Sequence, residues 1–155
     1  MSKTNAMRIL DGKKIKYEML EYDISDDKVD GISVAKKINT PLNQVYKTLV
    51  AHGSEDIYVF VIPVDKELNL KKAAKVVKEK KIELVRVDEI EKLTGYIRGG
   101  CSPVGMKKKY KTFIQEDCLN HEKIVVSGGK IGSQIKINPK DLIKVVNAKT
   151  VDIIE

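Results

Sequence analysis

The sequence predicts an α+β fold built on a mixed, strongly curved sheet. Three observations carry that expectation. Strand-like and helical runs follow one another in no regular alternation, which argues against a doubly wound parallel sheet. Ile57–Ile62 is continuously apolar and rich in β-branched residues, as a central strand buried on both faces requires. Lys123–Ser127 and Gln134–Ile137 flank a glycine-bearing turn, so they should pair as an antiparallel hairpin.

The elements can be justified in chain order. Thr4–Leu10 reads as a short opening helix, stopped by Asp11-Gly12. Ile15–Tyr22 reads as a strand, and the acidic stretch Asp23–Gly31 as a loop. Ser33 is placed to cap a short helix through Lys37. Pro41 restarts the chain, and Val45–Ala51 reads as a strand leading to the central one. Asn69 caps a helix from Leu70 to about Lys78, with Leu70, Ala73, Ala74 and Val77 on one apolar face. Glu83–Val87 reads as a strand. Asp88 and Glu91 resemble a capping box for a helix ending at Thr94. Strands are expected at Lys111–Gln115, Lys123–Ser127 and Gln134–Ile137. Pro139, at a first helical position after Asn138, starts a helix through Val146, and Lys149–Ile153 is the last strand.

A length of 155 residues with no repeat or linker predicts one domain over residues 1–155. No apolar run is long enough to span a membrane, and the opening residues lack a signal-like stretch, so a cytoplasmic location is expected. Cys101 and Cys118 form no C-x-x-C pair, and His52 and His121 match no ligand spacing; neither a metal nor another cofactor is expected. The net charge is +7, and of the 29 basic residues only Arg8, Arg86 and Arg98 are arginines. Lysine holds phosphate as a point charge, whereas arginine is the usual bidentate reader of base edges. The excess therefore suggests an acidic partner held through its backbone. Aromatic residues are only 5% and Trp is absent, which is thin for a binder built on base stacking.

Four features bear on chemistry. Gly99-Gly100-Cys101-Ser102-Pro103-Val104-Gly105 lacks the spacing of both the Walker and the dinucleotide loops. It either forms a sharp turn or aims bare amides at a ligand oxygen. Ser127-Gly128-Gly129-Lys130-Ile131-Gly132 reads first as a hairpin turn, with the Ser127 hydroxyl at the strand end. Lys47 shares an alternation face with Val45, Leu49 and Ala51, so its ammonium needs a partner, a ligand or a snorkelling path to water. Cys101 reads as a small packed thiol, because a thiol nucleophile needs an activating base and neither histidine sits in a recognisable signature. The Lys71, Lys75, Lys78 face and the run Lys107-Lys108-Lys109 are basic stripes. The second follows the glycine segment directly, which places it to flank a pocket and hold a phosphate backbone.

Taken together, Tyr46-Lys47-Thr48-Leu49, Leu70-Lys71-Lys72-Ala73-Ala74, Thr94 through Gly105 and Val126-Ser127-Gly128-Gly129-Lys130 resemble the YbaK family. These free-standing deacylases clear cysteine from tRNA(Pro) and are related to the editing insertion domain of bacterial prolyl-tRNA synthetase. The resemblance runs from about Thr4 to the end of the chain. It implies a mixed, curved, β-barrel-like sheet flanked by helices, with a pocket for the aminoacylated 3′ end of tRNA and prolyl-tRNA synthetase as a partner. It implies that Lys47 is the essential lysine, that Tyr22 and Ser127 line the pocket, and that Gly99 and Gly100 supply backbone at the ester. The mechanism it implies is attack by the substrate's own thiol, releasing a thiolactone. Better-known members carry an aliphatic residue where this chain has Cys101, which argues against an enzyme-borne nucleophile. Two other readings differ in class: a non-catalytic tRNA- or synthetase-binding module of the same fold, and a thiol hydrolase using Cys101.

Overall fold

The computed structural model describes residues 2–155 and contains five helices and two sheets. Chain order is α1 (Asn5–Gly12), β1 (Tyr17–Glu21), α2 (Gly31–Lys37), β2 (Tyr46–His52), β3 (Ile57–Pro63), α3 (Leu70–Val77), β4 (Glu83–Leu84) and α4 (Val87–Thr94). After the glycine segment come β5 (Lys111–Gln115), β6 (Ile124–Ser127), β7 (Ser133–Ile137), α5 (Pro139–Val146) and β8 (Lys149–Val151). One sheet has the order β1-β7-β6 and the other β4-β2-β3-β5-β8. The α+β class holds, but the sheets do not close into a barrel. They touch through an isolated parallel bridge between Val45 and Val125, and a cleft opens near that junction.

β3 explains the mixed character. It pairs antiparallel with β2 on one side and parallel with β5 on the other. Its alternate residues enter different cores. Val59 and Val61 join Met7, Tyr46, Ile114, Val126 and Ile135 in one cluster. Phe60 and Ile62 join Ala51, Ala73, Ile82, Phe113 and Ile153 in another, where the Phe60 and Phe113 rings stack with centroids 5.6 Å apart. A two-sided strand has no polar face, hence its unbroken apolar run. Each such side chain contributes about 1.5–3 kcal/mol by leaving water.

The hairpin is present, with β6 and β7 antiparallel and Ser127 opposite Gln134. Several expectations need correction. Asp30, not Ser33, caps α2: its carboxylate accepts from the Ser33 amide at 3.1 Å and from the Ser33 hydroxyl at 2.6 Å. Both residue types cap well, and the helix starts two residues before Ser33. The capping box at Asp88 and Glu91 does not form. α4 is capped by Arg86 without a side-chain bond, and Asp88 sits in the first turn against the Arg86 guanidinium. Glu83–Val87 reduces to the two residues of β4, and the last strand stops at Val151. Leu70 lies outside the apolar stripe of α3, being 43% exposed at the helix start, while Ala73 and Ala74 are buried.

Candidate functional site

A cleft of about 640 Å³ is lined by Tyr22 after β1, the acidic loop and the start of α2, the first half of β2, the glycine segment and the β6–β7 hairpin. Cross-strand pairing sets Lys47 opposite Ile62, on the face that continues into Leu49 and Phe60. The chain therefore places the ammonium at the end of an apolar face. The Lys47 side chain is half-buried, and its ammonium makes no hydrogen bond or ion pair among the described residues. Desolvation without a partner is a cost that a bound anion or carbonyl would offset.

Tyr22 is held from the other side. Lys37 donates to the backbone oxygens of Asp23 and Lys28, pairs with Asp26 at 2.7 Å, and lies 5.9 Å from the centre of the Tyr22 ring. The Tyr22 hydroxyl is buried and has no partner among the described residues; the same is true of the Thr48 hydroxyl. Both residues line the cleft. Ser127 lines it too, and its hydroxyl accepts from the Gly129 amide at 3.2 Å, which fixes its direction at the strand end.

The two glycine loops are packed against each other. A Cβ on Gly100 would lie 2.9 Å from both the Ile131 nitrogen and the Lys130 Cα, backbone atoms that cannot swing aside. Gly99 sits at φ +86°, a left-handed conformation open to glycine. The Gly100 amide donates to the Ile97 carbonyl at 3.0 Å, closing the turn. The Gly99 and Cys101 amides have no hydrogen-bond acceptor among the described residues, and both residues line the cleft. Gly100 itself does not line it. The loop is stapled from behind by Tyr96, whose hydroxyl donates to the Val104 carbonyl at 2.6 Å, and by Thr94, which donates to Ile90 at 2.8 Å.

Cys101 is 8% exposed, and burial pushes its thiol up to about 11. At neutral pH on the order of one thiol in ten thousand would be ionised. Neither histidine lines the cleft; His52 bonds its neighbour's carbonyl at 3.1 Å on the exposed end of β2. Cys101 therefore has a place in the cleft but no base beside it.

The structure brings Tyr22, Lys47, Gly99 and Ser127 into one cleft and leaves Gly100 behind the turn. Lys107, Lys108 and Lys109 are exposed and lie outside the cleft lining; Lys107 donates to the Lys92 carbonyl, and Lys108 and Lys109 edge a second cavity. Sequence reasoning passed over Thr48, Arg98 and Gln134, all cleft residues. Thr48 adjoins Lys47 in Tyr46-Lys47-Thr48-Leu49, and Arg98 directly precedes the glycine segment. Gln134 carried no signal, since only the hairpin register turns it inward opposite Ser127.

Residues 29–145 match the aminoacyl-tRNA editing domain. A protein of Enterococcus faecalis named as a candidate Cys-tRNA(Pro)/Cys-tRNA(Cys) deacylase, EbsC, is 40% identical over 152 residues, 97% of this chain and 93% of that protein. A proline–tRNA ligase of Brachyspira hyodysenteriae is 29% identical over 102 residues, which are 65% of this chain and 18% of the ligase. The crystal structure of a candidate trans-editing enzyme for prolyl-tRNA synthetase superposes with a TM-score of 0.85 at 24% identity over 99% of both chains, a likeness of fold. The chain belongs to the aminoacyl-tRNA editing domain family and is an enzyme of the aminoacyl-tRNA deacylase class.

Proposed function

We propose that this chain removes cysteine from mischarged tRNA(Pro), and that the substrate's own thiol is the nucleophile. The observation that carries the reading is the convergence of Tyr22, Lys47, Gly99 and Ser127, distant in sequence, on one cleft that offers an unpaired ammonium and two free amides. The near full-length similarity to a protein named for Cys-tRNA(Pro) and Cys-tRNA(Cys) supports the substrate class. The need is physical: a synthetase pocket separates side chains close in size by only about 10–200-fold, so a second site must remove the error.

In the proposed step the cysteinyl sulfur attacks the ester carbonyl carbon and a tetrahedral oxyanion forms. The bond from carbon to the ribose oxygen then breaks. The ribose oxygen takes up the proton lost by the thiol, and a cyclic thiolactone leaves. Lys47 and the Gly99 and Cys101 amides orient the 3′ end and face the developing negative charge. Tyr22 and Ser127 line the aminoacyl pocket. Lys107, Lys108 and Lys109 take the RNA backbone, and prolyl-tRNA synthetase is the partner that presents the tRNA, a link supported by the ligase match. The test is deacylation of Cys-tRNA(Pro) by the purified chain, run beside Cys-tRNA(Cys). Release of tRNA well above the spontaneous rate is expected; a rate equal to the blank would refute an editing activity.

A further inference from the structure

A second groove, of about 950 Å³, shares no lining residue with the Lys47 cleft. It lies between α1, the carboxyl ends of α3 and α5, β8 and residues 103–113. We propose that it docks another protein through an amphipathic segment, apolar along one face and carrying carboxylates on both flanks. The proposal does not rest on the deacylation reading and meets it only at Lys108 and Lys109, which that reading gives to the RNA backbone; Lys13, Lys78, Lys111 and Lys149 belong to the groove alone.

The argument begins with charge. Lys13, Lys78, Lys108, Lys109, Lys111 and Lys149 edge the groove, all are exposed, and no Asp or Glu lines it. None of the six makes a side-chain hydrogen bond or ion pair among the described residues, although five ion pairs form elsewhere. The acids nearest in sequence turn away: Asp11 pairs with Lys3 at 2.6 Å, and Glu79 accepts from the Tyr58 hydroxyl at 2.7 Å. Six unpaired positive charges on one groove compare with a net +7 for the chain. The carbonyl ends of α3 and α5 offset at most about half a charge each. The Lys47 cleft is different in kind, since Lys47 and Arg98 share it with Asp27 and Asp30.

The floor identifies the class of partner. Val76 and Val77 come from the last turn of α3, Val145 and Val146 from the last turn of α5, and Met106 and Val151 complete it. The two helix-end pairs are only partly buried. RNA phosphates would satisfy the lysines and leave this floor without a complement. Base stacking has little to use: Phe113 is 5% exposed, and the Tyr110 hydroxyl is committed to the Leu93 carbonyl at 2.6 Å. Apolar side chains between carboxylates satisfy floor and rim together, with the rim charges setting orientation and encounter rate.

The test uses fluorescence anisotropy with a synthetic labelled helix that has leucines at i, i+3, i+4 and i+7 and glutamates beside them. A scrambled peptide of the same composition and transfer RNA serve as the other two probes. Expected are saturable binding of the amphipathic but not the scrambled peptide, weakening as salt rises and not competed by transfer RNA, and a loss of about tenfold in peptide affinity in the Lys13→Glu, Lys149→Glu double variant. Both lysines are exposed and leave the folded core untouched, which circular dichroism checks; the salt dependence needs no variant at all. Deacylation and tRNA affinity should stay at the unsubstituted level in that variant. The proposal is overturned by equal binding of the scrambled peptide, or by no peptide binding at all. It is equally overturned if the double variant loses tRNA affinity in place of peptide affinity, or if sedimentation shows a dimer that closes the groove.

Discussion

Lys47 combines two properties that usually exclude one another, a place on an apolar strand face and no partner for its charge. Structural lysines acquire a carboxylate or reach water; Lys3, Lys37, Lys72 and Lys81 do the former. Replacing it by alanine removes a charge without opening a packed core, so Lys47→Ala should melt like the unsubstituted protein and lose about 100-fold or more in deacylation. Single-turnover assays with thermal melts check both halves. Cys101 makes the opposite case. Its thiol is held protonated by burial, and no histidine lines the cleft. Cys101→Ala should therefore retain most of the activity; a folded but inactive variant would restore the enzyme-thiol mechanism. Lys47 was legible in sequence because alternation alone sets its face. Thr48 and Gln134 were not: the Thr48 hydroxyl is buried without a partner, and Gln134 is set opposite Ser127, only once the strands are paired.

Between elements, the decisive contact is that of the two glycine loops. Gly100→Ala would push a methyl group into the Lys130–Ile131 backbone, at a cost of about 1–3 kcal/mol, and would displace the free amides of Gly99 and Cys101. Lower stability together with lower turnover is expected, measured by chemical denaturation and deacylation. The Tyr58–Glu79 hydrogen bond, which ties β3 to the end of α3, gives a pH signature. The Tyr58 hydroxyl holds the Glu79 carboxyl below its ordinary value. Its contribution is therefore present above the ordinary carboxylate range and is lost as pH falls through the lowered folded value. Glu79→Gln should flatten that acid limb of the stability profile. Elements with strong local pattern were readable: β3 from its unbroken apolar run, the β6–β7 hairpin from its glycines, α5 from Asn138 and Pro139. Helix starts were misplaced where two good capping residues compete, as Asp30 and Ser33 do, or where no side chain caps, as at Arg86. That Gly100 packs against a loop thirty residues onward is a tertiary fact, and no local pattern contains it.

For the molecule as a whole, charge is distributed by task. The cleft carries both signs, whereas the second groove and the Lys107–Lys109 run carry only lysine. Binding of tRNA should fall steeply with salt, because each neutralised phosphate releases counterions; nitrocellulose filter binding across a salt series measures the slope. The separation of Lys108 and Lys109 from the cleft lining could not be read from sequence, where they directly follow the glycine segment. The central claim is that the cleft orients an ester and leaves the attack to the substrate's sulfur, an intramolecular step in which orientation alone can supply up to ~7–11 kcal/mol. The most direct measurement is a paired rate comparison on tRNA(Pro) charged with cysteine and with serine, which differ in one atom. The account predicts rapid release from the cysteinyl form, with a thiolactone as first product, and slow release from the seryl form. Equal rates on the two would contradict it.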